Sequence, residues 1–183
     1  IMKIDLYPEK SQYLTNQQIN LIAEIFCDDE KIYEAQIEIS YLNKVINKFS
    51  CTVKSGVNII PIEGFSTAFS GYGADLSIID STNKSFRAQT AFDVVDKVER
   101  SMRYGFLSDF KLEDGENHRD IESLRKFHIN MVQFYDWSYR HDNLVAPTTE
   151  YKDMMGKEIN LDTVKGKIQK AKELGMHSMA YGA

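Results

Sequence analysis

Tyr104-Gly105-Phe106-Leu107-Ser108-Asp109-Phe110 is a compact apolar run that ends in a polar loop, Glu113-Asp114-Gly115-Glu116. A stretch with helical spacing follows, Asn117 to His128, with Ile121, Leu124 and Phe127 on one side and charge on the other. Ile129 to Tyr135 then reads as a second strand, buried on both faces, and the segment from Asp136 to about Asn160 reads as a long irregular loop. Asp162 can cap a second helix whose apolar positions are Val164, Ile168, Ala171 and Leu174, with Gly175 as its stop. Met176 to Tyr181 is a third strand. Strand, helix, strand, helix, strand is the pattern of parallel βα units, whose crossover helices cover the sheet. A doubly wound nucleotide binder would need G-x-G-x-x-G in the first βα turn, but this turn offers one glycine among three carboxylates, which repel phosphate. A (β/α)8 barrel fits better. A whole barrel takes about 250 residues, and 85 lie from residue 99 onward. The expectation is an incomplete barrel of about three βα units, cut from a longer chain, whose third strand lacks a neighbour on one side.

Upstream the rhythm differs. Residues 3–7, 19–26, 33–41, 44–53, 56–62, 74–79 and 86–95 read as short strands, several with clear apolar alternation. Turn signals separate them, among them Pro8-Glu9-Lys10, Lys54-Ser55-Gly56 and Ser70-Gly71-Tyr72-Gly73. Seven short strands in a hundred residues suit an immunoglobulin-like β-sandwich, although the Cys–Trp–Cys pattern of true immunoglobulins is absent. The chain therefore reads as multidomain: a β-sandwich over 1–98, then the truncated barrel over 99–183.

Composition narrows the function. The 183 residues are 43% hydrophobic and 27% charged, with ten glycines and three prolines, as in ordinary globular chains. No apolar run approaches the roughly 18 residues of a membrane span, and no signal-like segment opens the chain at Ile1. The net charge is −5, divided as −4 over residues 1–98 and −1 over 99–183, so neither half is a basic nucleic-acid module. Cys27 and Cys51 are the only cysteines. They either bridge two strands or stand as free buried thiols. Neither they nor His128, His141 and His177 have metal-ligand spacing, and no metal or cofactor is expected. His118 reads as solvated, His128 as structural, and His177 as core or rim. The Lys165, Lys167, Lys170 and Lys172 run reads as a solvated helix face.

Barrel enzymes carry function at the C-terminal ends of strands. Here those positions hold Asp109, the cluster Tyr135, Asp136, Trp137, Tyr139, Arg140, His141 and Asp142, and Tyr181. The cluster puts three aromatics and four ionisable groups into eight positions, on a loop far longer than the usual connection of about 4–6 residues. Such a mixture suits a sugar, whose C–H faces pack on aromatic rings while its hydroxyls need paired donors and acceptors. In an ordinary alternative, Trp137 and Tyr139 bury the loop against the rim and Arg140 pairs with Asp142. Asp109 either binds substrate or caps the next loop. Asp109 and Asp136 as a catalytic pair is a further alternative.

Arg103 to Phe110, Val132 to Asp142 and Gly175 to Tyr181 together resemble glycoside hydrolase family 66, the dextranases and cycloisomaltooligosaccharide glucanotransferases. The stretch Gln133-Phe134-Tyr135-Asp136-Trp137-Ser138-Tyr139-Arg140-His141-Asp142 is the most specific. The likeness is motif-rich over 99–183 and architectural over 1–98, where the family carries an immunoglobulin-like domain. It implies retaining cleavage of α-1,6-glucan by an Asp nucleophile and a Glu acid/base about 5–5.5 Å apart. In the family both lie on later barrel strands, so no catalytic residue is expected in this chain. The strand-end residues named above, Asp109 to Tyr181, become candidate glucose-binding positions.

The leading expectation is an N-terminal fragment of an exported bacterial endo-dextranase, secreted, periplasmic or at the cell surface, and inactive alone. Its partner would be α-glucan (dextran or isomaltooligosaccharides). A cyclising glucanotransferase is the second reading. A carbohydrate-binding or structural sandwich is the third, with Tyr33, Tyr41, Phe65, Phe69 and Tyr72 as platforms. Self-association through the unpaired edges of residues 99–183 is also expected.

Overall fold

Side chains alternate between buried and exposed along most strands of the first hundred residues, as a half-buried pleat requires. The computed structural model describes residues 2–182, so Ile1 and Ala183, the outer limits of the expected domains, lie outside the described residues. Two units are formed, one ending at Arg100 and one beginning at Ser101.

In the first unit the strands are β1 (Lys3–Pro8), β2 (Tyr13–Leu14), β3 (Ile19–Phe26), β4 (Ile32–Tyr41), β5 (Lys44–Lys54), β6 (Gly56–Ile62), β7 (Phe69–Ile79) and β8 (Ser85–Val95). They make an antiparallel sheet in the order β1-β3-β6 and a second sheet in the order β2-β8-β7-β4-β5, in which only the short β2–β8 pairing is parallel. Ile19, Leu21, Ala23 and Ile25 of β3, with Ile60 and Ile62 of β6, share one buried core with Ala35, Ile37 and Ile39 of β4 and Ala74, Leu76 and Ile78 of β7. Each fully buried Ile or Leu contributes about 1.5–3 kcal/mol of transfer free energy, which is what fixes the register of both sheets.

Ser70-Gly71-Tyr72-Gly73 is not a turn but the start of β7, five residues earlier than the alternation suggests. Gly73 comes close to β4: a Cβ on it would sit 2.6 Å from Ser40 Oγ, so a side chain there would oblige the serine to turn away. Of the expected aromatic platforms, Tyr41, Phe65 and Tyr72 lie together, with the Tyr41 ring 5.9 Å from that of Tyr72. Tyr72 is buried and stacks on Phe65 and Phe92 at 4.2 and 5.4 Å, and the Asp29 carboxylate holds the Tyr33 hydroxyl at 2.8 Å. Tyr41 and Phe69 stay exposed. Cys27 and Cys51 are free, half-buried thiols against the core.

Tyr13 supplies a pH test of this unit. Its side chain is 1% exposed, its hydroxyl donates to the Asn20 carbonyl at 2.9 Å, and burial pushes its pKa up to about 12. An unfolded tyrosine ionises near 10. Between those values the unfolded chain has released a proton that the folded chain keeps, so stability is intact below pH 10 and falls as pH rises towards 12. The loss is on the order of 2–3 kcal/mol. Urea unfolding of wild type and Tyr13→Phe, compared across that window, should show the extra slope only in wild type.

The second unit holds β9 (Tyr104–Leu107), α1 (Arg119–Lys126), β10 (Met131–Phe134), β11 (Glu150–Lys152), β12 (Glu158–Asn160), α2 (Leu161–Glu173) and β13 (His177–Ala180). β10 is central, parallel to β9 on one side and to β13 on the other, and β11 and β12 form an antiparallel hairpin. Among the described residues β9 and β13 each have one neighbour. The chain is thus mostly sheet, with two α-helices among the described residues. No helix there is long and apolar enough to cross a membrane.

Several local expectations fail for identifiable reasons. β10 is buried on one face only: Val132 and Phe134 are covered, Met131 and Gln133 half so. Phe127 is 77% exposed because α1 ends before it. The cap of α2 is Asn160, not Asp162; its side chain accepts from the backbone N–H groups of Asp162 and Thr163 at 3.0 and 3.1 Å. The inward positions of α2 are Val164, Lys167, Ala171 and then Leu174, while Ile168 is 39% exposed. Lys167 is therefore buried rather than solvated, paired with Asp120 of α1. His118, before α1, is half-buried, its Nδ1 closed off with no hydrogen-bond partner among the described residues. His128 occupies a left-handed turn (φ 60) ahead of β10, and His177 is exposed on β13. Gly175 (φ 74) ends α2 as expected.

Candidate functional site

Register places three strand ends side by side. Met131 lies between Tyr104 and His177, and Gln133 between Phe106 and Met179. The next row of the same period is Ser108, Tyr135 and Tyr181, held by the Tyr135 N–H to the Leu107 carbonyl (2.8 Å) and the Tyr181 N–H to the Phe134 carbonyl (3.2 Å). This row of three hydroxyl-bearing side chains stands at the C-terminal edge of a parallel sheet.

Tyr135, Trp137 and Tyr181 are brought together. The Tyr135 and Tyr181 rings are 4.6 Å apart at 40°, and Trp137 donates its indole N–H to the Tyr181 carbonyl at 2.9 Å. Trp137 also packs against the core formed by Phe110, Phe134 and Ile159, so it positions Tyr181 while burying its own loop. Asp136 makes this turn in the left-handed region (φ 53), a conformation costly for a non-glycine residue and tolerated best by Asn and Asp. Tyr181, and after it Asp136, push the pKa of the Tyr135 hydroxyl above its ordinary value.

Tyr139 and Arg140 form a second group. A tight turn joins the Tyr139 N–H to the Leu144 carbonyl and the Arg140 N–H to the Asn143 carbonyl. The Arg140 guanidinium lies 4.6 Å from the Tyr139 ring centre, and the partner described for it is this ring, not Asp142. Tyr139 meets Tyr151 edge-on at 5.9 Å. His141 and Asp142 are exposed at the turn's tip. Asp109 stands apart from both groups: it is exposed, and its described partner is Lys157, at 3.3 Å, rather than Asp136.

The hairpin was missed by sequence reasoning, and the region read as irregular contains it. Tyr151 donates its hydroxyl to the Trp137 carbonyl, and Lys157 reaches the Ser108 carbonyl as well as Asp109. Asp153 turns the hairpin by accepting the N–H groups of Met155 and Lys157, with Gly156 at φ 81. Asp153-Met154-Met155-Gly156 between two three-residue alternations was the available signal. Between this hairpin and the Tyr139–Arg140 turn lies an open cleft of about 520 Å³. Among the described residues, no group of three or more His, Cys, Asp or Glu side chains converges to hold a metal ion.

Residues 8–183 match the sequence pattern of glycosyl hydrolase family 66. The chain belongs to that family. A cycloisomaltooligosaccharide glucanotransferase of Niallia circulans is 31% identical over 100 residues, which is 50% of this family 66 chain and 10% of that protein. A second Niallia circulans protein of the same name is 26% identical over 100 residues. Among solved structures, the Paenibacillus sp. cycloisomaltooligosaccharide glucanotransferase complexed with cycloisomaltoheptaose superposes with a TM-score of 0.85 at 26% identity, covering 98% of this chain and 27% of that one. The match thus spans about a tenth of the curated relatives' length and about a quarter of the solved relative's.

Proposed function

We propose that this family 66 chain is one part of an enzyme that cleaves α-1,6-linked glucan with retention, and that it binds glucosyl units without carrying the reacting acids. The family match over residues 8–183 carries this reading. In the proposal the first unit is an immunoglobulin-like sandwich and the second supplies the opening three βα units of a (β/α)8 barrel, consistent with its β9-β10-β13 parallel order. Tyr135 and Tyr181 present hydroxyls and ring faces to the sugar, and Asp136 accepts from its hydroxyls. The nucleophilic Asp and the Glu that first protonates the leaving oxygen and then activates the incoming acceptor belong to a part of the protein outside this chain, at about 5–5.5 Å from each other.

Two acceptors distinguish two products. Water gives linear fragments, the endo-dextranase expected from the sequence; the glucan's own non-reducing end gives a ring, the reading favoured by the names of the relatives. A polymeric substrate supports the proposal that the enzyme is secreted, periplasmic or at the cell surface. Self-association of this chain through the unpaired edges of residues 99–183 is part of the same proposal, and sedimentation velocity tests it.

Incubation with dextran is the test. This chain alone should release neither reducing ends nor cyclic sugars, whereas the longer protein containing it should release one of them. Cleavage by the chain alone, or an inert longer protein, would overturn the proposal.

A further inference from the structure

We infer that the cleft between the Tyr139–Arg140 turn and the β11–β12 hairpin is a second glucan-binding subsite, taking a short run of uncharged glucosyl units. Its volume, about 520 Å³, lies within the roughly 300–1,000 Å³ range of small-ligand sites. The aromatic wall is Tyr139 and Tyr151, set edge-to-face, a surface on which sugar C–H faces pack. Both rings are held in place beforehand: Arg140 lies over Tyr139, and the Tyr151 hydroxyl is committed to the Trp137 carbonyl. Charge decides the ligand class. Arg140 and Lys152 face Glu150 and Asp153 around the cleft, so the lining is balanced and favours neither phosphate nor a cation. Asp153 is buried and its Oδ1 holds two backbone N–H groups of the hairpin turn, whereas Arg140, Glu150 and Lys152 are exposed and meet sugar hydroxyls. Met154 closes the cleft beside the hairpin turn.

The subsite is also connected to the strand ends. Tyr151 bonds to the Trp137 carbonyl, and the Trp137 indole bonds to the Tyr181 carbonyl. Glucan seated against Tyr151 therefore presses on the loop that positions Tyr181. This inference rests on the glucan reading above, and its test separates the two.

The methionines provide the probes. Met154 lines the cleft, Met131 and Met179 share the face that ends at Tyr135 and Tyr181, and Met176 is buried in the core. The chain labelled with methyl-¹³C methionine is titrated with isomaltoheptaose, with Met154→Leu assigning the key resonance. The Met154 methyl should shift in a saturable way while Met176 stays fixed. Lys152→Ala and Glu150→Ala, both at exposed positions, should each weaken the response several-fold, and Tyr139→Ala should remove it. Shifts at Met131 or Met179 with none at Met154 would overturn the subsite and leave the strand-end reading standing. A Met154 response without the other two would do the reverse. Silence at all three overturns both, and a Met154 response unchanged in every variant overturns the subsite.

Discussion

Phe134→Ala is expected to lower the stability of the second unit by about 3–5 kcal/mol, the usual cost of emptying a buried aromatic site. Phe134 is 2% exposed on the central strand β10 and stacks on Phe110 at 5.6 Å with ring planes 12° apart. Val132, Ile159, Val164 and Ala171 belong to the same close-packed core, so filling the vacated space would disturb packing around it. Against a typical domain stability of about 5–15 kcal/mol, such a loss leaves the unit marginal. The readout is specific because Trp137 is the only tryptophan and belongs to this core. Its fluorescence should report a urea midpoint far below that of wild type. Phe127→Ala is the control. At 77% exposure it should change stability by no more than about 0.5 kcal/mol. Equal midpoints for Phe134→Ala and wild type would contradict the packing described.

Asp120→Ala should cost about 2–3 kcal/mol, below the roughly 3–5 kcal/mol of a fully buried broken pair because the Asp120 side chain is one-third exposed. The other half of the pair explains the size: the Lys167 side chain is 2% exposed, and removing its partner strands an ammonium group between α1 and α2. Replacing both, as Asp120→Leu with Lys167→Met, should recover most of the loss, since a packed apolar pair of similar volume avoids desolvating two charges. The same fluorescence-detected unfolding measures all three proteins. A double variant no better than Asp120→Ala would show that the charge is not the source of the cost. Lys170 and Glu122, at 3.8 Å and partly exposed, form the neighbouring pair and add little.

Lys167 also shows where reading along the chain stops. Its place among Lys165, Lys170 and Lys172 gives no sign of burial, because the group that accepts it, Asp120, lies 47 residues away. Gly71 and Gly73 carry a local turn signal, yet both lie within β7, because Gly71 pairs with Asp93 of β8 and Gly73 with Ser40 of β4, partners far away in the chain. The hairpin of β11 and β12 escaped because three-residue strands are too short for alternation to stand out from loop. Asn160 and Asp162 are both good caps by type; Asn160 prevails because its backbone is extended and tied to the Phe110 carbonyl at 2.7 Å.

Alone, the order of residues determined the two rhythms of this chain, the positions of most strands and both helices, and the aromatic and charged cluster that follows β10. The rhythms and elements follow from periods of two and of about 3.6 residues, which any short window contains, and the cluster from the density of aromatic and ionisable residue types. Tertiary structure decided which of the strand-end residues meet: Tyr135 with Tyr181, whose carbonyl accepts the Trp137 indole N–H, Tyr139 with Arg140 and Tyr151, and Asp109 with Lys157. Parallel register between β9, β10 and β13 and the packing of the β11–β12 hairpin against the Trp137 loop create those contacts, which join residues too far apart in the chain for a local period to mark.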